Sequence, residues 1–245
     1  MPAPYWSIRA EFEIGSSTYV AEYERRIEKK AEADAILESC RAKTGEVKKI
    51  DTRIWRQMPP APFNLGSLQA EAYSLFGYTP RVTGSIAEGL YLEALISYPR
   101  TSSQKLPSTI NYKAIFDGLS KEATYRRFAS ILLQKERLRP NEGKKEDPAH
   151  PAIYPTGNLP KKPLSIGEKK VWDIIVRRFM SVFGEPAVKQ NMKISVHVGD
   201  HDFTLRCRRV LKDGWMLFYR LYVRTEEALL PPLKEGDRIQ LKRGD

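Results

Sequence analysis

The chain has 245 residues, a formal net charge of +11 and 41% hydrophobic residues, enough for one large or two modest globular domains with real cores. No apolar run approaches the about 18 residues of a membrane span, and the start, MPAPYWSIRAEFEI, has no basic region leading into a continuous apolar stretch, so neither a membrane partner nor a signal peptide is expected. Its two cysteines, Cys40 and Cys207, suit an intracellular (cytoplasmic) protein better than a disulfide framework or a zinc ribbon, and the excess of positive charge favours a polyanionic partner, nucleic acid being the commonest.

The first segment alternates. Trp6, Ile8, Ala10, Phe12 and Ile14 are apolar, and the residues between them are polar, which predicts a half-buried strand. Gly15-Ser-Ser is a turn, and STYVAEYERR returns as a second strand. AEADAILESCRAK (31–43) predicts a helix, with Ala35, Ile36 and Cys40 on one side. EVKKIDTRIWRQM (46–58) alternates again. MPPAPF (58–63) then forbids both helix and central strand and predicts a stiff, extended connector. Helical patterns follow at 66–76, 83–95, about 108–118, 120–138 and 165–183. The last opens on a Ser165/Glu168 capping box. Alternation resumes in KISVHVGDHDFTLRCRRV, with a Gly-Asp-His-Asp turn at its centre. GWMLFYRLYV predicts a further strand, and EGDRIQLKRG a short final one. Strands thus flank a helical middle. The economical architecture is α+β: a discontinuous β-rich domain (1–62 and 186–245) with an α-helical domain (63–185) inserted through it.

Two irregular stretches carry chemistry. In ISYPRTSSQKLP (96–107), Pro99 forces Tyr98 into extended geometry just past an apolar helix face. Arg100 follows two residues on, so it shares a side with Tyr98 if the segment is extended. A neutral phenol is a poor nucleophile. A neighbouring guanidinium favours the phenolate and can hold a phosphate through two parallel hydrogen bonds. Tyr98 is therefore either a packed ring or a group suited to attack on a phosphodiester. The second stretch, DPAHPAIYPTG (147–157), is a proline-rich loop preceded by Lys144 and Lys145. Its His150 is either a surface turn residue or a donor to a phosphate or a leaving oxygen.

Taken with the connector, these stretches form an ordered series: Pro59-Pro60-Ala-Pro62-Phe63, Leu68-Gln69, Ala87-Glu-Gly-Leu90-Tyr91, Ile96-Ser-Tyr98-Pro-Arg100-Thr101 and His150-Pro-Ala152-Ile153-Tyr-Pro155-Thr156. The series resembles the type IA DNA topoisomerases, with LISYPRTSSQKLP similar to archaeal members. The resemblance implies that Tyr98 attacks one DNA strand and keeps its 5′ phosphate as a phosphotyrosine ester, so that resealing needs no ATP. It implies that Arg100 orients Tyr98 and the scissile phosphate, and that His150 contacts that phosphate. Thr101, Ser102, Lys105 and Thr156 beside them are expected to meet DNA, as are Arg126 and Arg127 of a basic helix pattern. It further implies that the β segments are a hinge domain and the inserted domain is winged-helix-like. The chain departs from the family at Ser102, where an acid is usual, at Glu88, where Gln is usual, and at Tyr154, where a basic residue is frequent.

The family's Toprim domain carries a D-x-D-x-E cluster for Mg²⁺, and this chain has none. Asp200-His-Asp202 comes nearest in spacing, but it sits with His197 and His201 in a predicted hairpin tip, and no metal site is expected there. The chain therefore reads as part of a longer enzyme. It is expected to be monomeric, to bind single-stranded DNA, to cleave none alone, and to depend on a Toprim domain of the same polypeptide for Mg²⁺. The competing reading is a non-catalytic single-stranded nucleic-acid-binding module built on Arg126, Arg127, Lys135, Arg137 and Arg139. A tyrosine recombinase or type IB enzyme would want His-x-x-Arg, but Ile153 stands three residues after His150. A rolling-circle nickase would want His-hydrophobic-His, and none of the three histidines is so spaced.

Overall fold

The computed structural model describes residues 5–41, 43–223 and 232–244. By their contacts they separate into two units. One holds the residues up to Trp55, Val188–Leu211 and the final strand; the other holds Arg56–Ala187 and the segment that begins at Lys212.

The first unit is a closed barrel of six strands. In chain order these are β1 (Arg9–Ile14), β2 (Ser17–Tyr23), β3 (Thr44–Gln57), β4 (Ala187–Val198), β5 (His201–Lys212) and β6 (Arg238–Gly244), with a helix, α1 (Lys30–Cys40), between β2 and β3. Around the barrel the order is β1-β2-β5-β4-β3-β6. The alternation in the first strand is real: Ala10, Phe12 and Ile14 are buried and Arg9 and Glu13 are exposed. The register Ile14↔Ser17 leaves a two-residue turn, which Gly15 opens at φ 62, a conformation that costs glycine little. The second hairpin turn is also only two residues long. Gly199 and Asp200 make it, and His201 and Asp202 already belong to β5, with His197 Nδ1 2.7 Å from Asp202 Oδ1. Helix α1 buries Ala33, Ile36 and Cys40 in the same core as Phe12, Val196 and Phe203. Ala35, predicted on that face, is exposed. Cys40 and Cys207 are both free and buried, and burial pushes the Cys207 thiol up to about 11.

The second unit is helical: α2 (Leu65–Phe76), α3 (Pro80–Leu92), α4 (Tyr112–Ser120), α5 (Ala123–Leu133), α6 (Ile166–Ser181) and the short α7 (Met216–Tyr219). Helix α6 begins at the predicted capping box, with Glu168 N donating to Ser165 Oγ at 3.3 Å and Ser165 N to Glu168 Oε2 at 2.8 Å. It is the spine of this core, and rings gather on it: Phe116–Phe179 at 5.3 Å, Phe179–Phe183 at 5.2 Å and Tyr112–Phe183 at 4.9 Å. Among the described residues no helix is long and apolar enough to cross a membrane.

Four elements depart from the sequence pattern. Helix α4 starts at Tyr112 rather than near 108, because Asn111 caps it, accepting from Ala114 N at 3.1 Å. Helix α3 starts three residues early, because Thr79 caps it, accepting from Val82 N at 3.3 Å, and Pro80 fits the first turn. Helix α5 is shorter than the 120–138 pattern. After Leu133 the chain leaves the helix, and Lys135 Nζ donates to Phe183 O at 2.8 Å and to Glu185 Oε1 at 2.6 Å. GWMLFYRLYV is no strand. It turns at Gly214, forms α7 and joins the helical unit. An unbroken apolar run has no period that tells strand from helix, and here tertiary bonds decide. Tyr222 OH donates to Asp173, Tyr219 OH meets Glu71 Oε1 at 3.0 Å, and Arg177 Nη1 reaches Phe218 O at 3.4 Å.

Helix α4 lies hard against the loop after His150. A methyl group built at Gly118 would stand 2.2 Å from the Gly157 carbonyl oxygen. In a helix interior Gly→Ala normally stabilises by about 1 kcal/mol. Gly118→Ala is expected to reverse that sign, costing about 1–3 kcal/mol and lowering the urea midpoint, whereas Gly66→Ala, whose methyl would meet only Asn64 Oδ1 at an ordinary 3.8 Å, should not. An unchanged or raised midpoint for Gly118→Ala would contradict this packing.

Candidate active site

Three extended pieces of chain, far apart in sequence, pair beside α6. Ile153 bridges Phe63 and Pro155 bridges Ile96, both antiparallel. Ile153 N donates to Phe63 O at 2.7 Å, Ser97 N to Tyr154 O at 2.9 Å and Thr156 N to Leu95 O at 3.1 Å. The Ser97 hydroxyl donates to Ala152 O at 3.3 Å and accepts from Tyr154 N at 3.0 Å. The apolar residues of these pieces, Phe63, Leu95, Ile96, Ala152 and Ile153, are buried in the helical core, so their polar neighbours are held on a rigid backbone. Ala94 turns the chain out of α3 at φ 56, a conformation uncommon for a residue with a side chain. Its carbonyl is satisfied twice, by Thr156 Oγ1 at 2.6 Å and Asn158 Nδ2 at 3.0 Å.

Tyr98 comes next along this frame. Its half-buried ring is lodged between two others, His150 with centroids 4.6 Å away and Tyr91 of α3 at 5.4 Å, edge to face. The phenol oxygen has no hydrogen-bond partner among the described residues. Other tyrosines of this unit differ. Tyr112 OH donates to Leu106 O at 2.5 Å, and burial pushes its pKa up to about 12. Tyr125 OH donates to Asp173 Oδ1 at 2.7 Å, and burial, then the Asp173 charge, push it upward too. Those rings are structural. The Tyr98 ring is held by ring contacts, and its oxygen is unbonded among the described residues.

Arg100 is exposed, and its Nη2 sits 2.7 Å from Glu88 Oε2 of α3. That hydrogen bond and the Glu88 charge, then Tyr98, raise the Arg100 pKa above its ordinary value. Thr101 is buried and fully engaged: its hydroxyl donates to His150 O at 3.2 Å and accepts from Ser103 N at 3.0 Å. Thr156 is engaged likewise, accepting from Asn158 N at 3.2 Å. Lys105 Nζ lies 3.4 Å from Glu142 Oε2. Ser102 faces Asp147, its amide and hydroxyl both 3.3 Å from Asp147 Oδ2. An open cleft of about 740 Å³ lies beside Arg100, lined by Asn64, Ser67, Ser102, Gln104 and Lys145 among others.

Tyr98 and His150 are thus in ring contact, Thr101 bonds the His150 carbonyl, and Arg100, Thr101 and Ser102 line the same cleft; Lys105 and Thr156 lie on the same paired segments and are engaged by Glu142 and the Ala94 carbonyl. Arg126 and Arg127 do not join them. They are exposed on α5. Arg126 Nε donates to Ser120 O at 3.3 Å, closing its own turn, and Arg127 forms no ion pair among the described residues. Sequence reasoning missed Tyr91 as a ring partner and Asp147 as a clamp. Both had signals: Glu88 and Tyr91 are i,i+3 on one helix, and Asp147-Pro148 is a turn-opening pair. Among the described residues no group of three His, Cys, Asp or Glu could hold a metal ion, so the described residues do not fit a Mg²⁺ site.

A family model described as DNA topoisomerase matches residues 1–245. The chain is 44% identical over 243 residues to the DNA topoisomerase 1 of Pyrococcus horikoshii, covering 98% of this chain and 35% of that protein. It is 46% identical over 244 residues to the DNA topoisomerase 1 of Methanothermobacter thermautotrophicus, covering 98% of this chain and 33% of that protein. The chain therefore spans about a third of the length of these relatives. Its fold is like that of full-length topoisomerase I from Thermotoga maritima, with a TM-score of 0.71 at 20% identity, over 98% of this chain and 40% of that one.

Asp147 ties the two site segments electrostatically. The amides of Ala149, Ser102 and His150 hold its carboxyl below the ordinary carboxylate value. A carboxyl lowered in the folded state stabilises fully above its unfolded value, about 3.9, and loses that contribution as pH falls through the folded value. Hydrogen-exchange protection of the Ser102, Ala149 and His150 amides should therefore persist at neutral pH and fall selectively below about pH 4. Asp147→Ala should lose it at every pH. Protection in the native chain that ignores acid would contradict the clamp.

Proposed function

Because the chain belongs to the type IA DNA topoisomerase family, we propose that it supplies the nucleophile of an enzyme that cuts and reseals one DNA strand through a 5′-phosphotyrosine ester. The observation that carries this is the Tyr98 phenol, without a hydrogen-bond partner among the described residues, its ring held between those of His150 and Tyr91. Tyr98 Oη bonds to phosphorus, the P–O3′ bond breaks, the phenolic proton leaves and the departing 3′ oxygen gains one. A hydroxyl thus ends the broken strand. Resealing runs the same exchange backwards. The ester keeps the energy of the broken bond, so ATP is not required.

Arg100 would hold the scissile phosphate and stabilise charge that grows on it, and His150 would donate to the same phosphate. Thr101 and Thr156 contribute differently from Ser102 and Lys105. Their hydroxyls are committed to protein carbonyls, which supports a role in holding the segments that meet DNA. Ser102 and Lys105 are free to exchange surface partners for phosphates. Arg126 and Arg127 would serve the strand farther along.

In this reading the helical unit of a monomeric chain is a winged-helix-like domain, the barrel is the hinge that moves it, and the catalytic Mg²⁺ would be bound by a Toprim domain in the remainder of a longer polypeptide acting at the nucleoid in the cytoplasm. The 245-residue chain alone should bind single-stranded oligonucleotides, with affinity falling as salt rises, and should cut none, with or without Mg²⁺. In the complete enzyme Tyr98→Phe should abolish the denaturant-resistant DNA adduct while leaving oligonucleotide affinity within about twofold, since one exposed hydroxyl is worth little to binding. Plasmid relaxation by the chain alone, or an adduct in the Tyr98→Phe enzyme, would contradict the proposal.

A further inference from the structure

We propose that Glu88 is a positioning residue that holds Arg100 in reserve: a DNA phosphate must displace the Glu88 carboxylate to take the guanidinium. The inference rests on the reading of Arg100 as a phosphate ligand and adds what controls that ligand.

Helix α3 touches the site on both sides of Pro99. Tyr91 meets the Tyr98 ring, and Glu88, one turn earlier on the same face, takes Arg100 Nη2 at 2.7 Å. One rigid element therefore sets both the nucleophile and the cation. The other acids around α3 and the site segments are committed elsewhere: Glu93 pairs with Lys162 at 2.7 Å, Glu168 caps its own helix through Ser165, and Asp147 accepts from three amides. Glu88 is thus the anion that an arriving phosphate meets at Arg100.

Exposure decides whether the exchange can occur. The Arg100 and Glu88 side chains are 63% and 49% exposed. Ion pairs this open shift an equilibrium by about fivefold at most, so a phosphodiester that offers two oxygens to the guanidinium fork can displace the carboxylate. A buried pair would resist. Three consequences follow for the empty site. Arg100 is already ordered beside Tyr98, its charge is neutralised so that stray anions are held weakly, and the carboxylate recaptures it when the strand leaves.

The test is a double-mutant cycle read as equilibrium affinity of the 245-residue chain for a fluorescent single-stranded oligonucleotide, across a salt series. Glu88→Gln keeps side-chain length and removes the charge. It should bind about fivefold tighter at low salt, and the gain should shrink as rising salt screens the pair that the change removes. In the Arg100→Ala background the same change should do almost nothing, because Glu88 acts through Arg100. A gain of equal size without Arg100 would mean a general charge effect and would overturn the proposal. No gain from Glu88→Gln, or no oligonucleotide binding by any of the four proteins, would overturn it too. No covalent step is read here, so failure of this coupling leaves the assignment of Tyr98 standing, and a missing adduct in the complete enzyme leaves the coupling standing.

Discussion

Ser97 shares two hydrogen bonds through its hydroxyl with backbone groups of the 152–154 segment, one of them to Tyr154, 57 positions away in the chain. The amide of Ser97 adds a third, to Tyr154 O. The rest of the site depends on this pairing. It brings Tyr98 beside His150, and without it neither ring has a fixed neighbour on that side. The pairing is affordable because its apolar flanks, Ile96 and Ile153, are buried in the helical core, where an unpaired backbone group would cost about 1–3 kcal/mol.

Around that frame the polar groups fall into two kinds. Thr101, Thr156 and Asn158 spend their donors on carbonyls and hold loops. Arg100, Ser102 and Lys105 stand at or near the surface with partners that an anion can replace. This division reconciles a basic chain of net charge +11 with an ordered site. Rigidity comes from committed hydroxyls and rings, while the exchangeable charges are the ones the proposed function assigns to recognition. Surface ion pairs such as Arg100–Glu88 and Lys105–Glu142 contribute little to folding, and in the proposed function both open to phosphates.

Much of this was legible before the coordinates. Period-two alternation in 9–14 and 193–207 marks barrel strands, because a half-buried strand must alternate, though the pattern's first member, Trp6, lies exposed before the strand. Ser165 and Glu168 mark the start of α6, because a capping box is local chemistry. Tyr98-Pro99 announces extended backbone. What stayed hidden is non-local. Nothing in GWMLFYRLYV says that Asp173 and Glu71, on two other helices, claim its tyrosines and draw it into the helical unit. Nothing in the loop around Asp147 says that the Ser102 amide and hydroxyl donate to its carboxylate. The Glu88–Arg100 pair was visible only as a departure from a family pattern, not as a contact.

The central claim is that the Tyr98 oxygen bonds to DNA. The most direct measurement is peptide mapping by mass spectrometry of the adduct trapped in the complete enzyme on a short single strand and trimmed with nuclease. The account predicts one modified peptide, spanning Tyr98, carrying nucleotide mass through a 5′ phosphate. A modification on another residue, or a link through a 3′ phosphate, would contradict it.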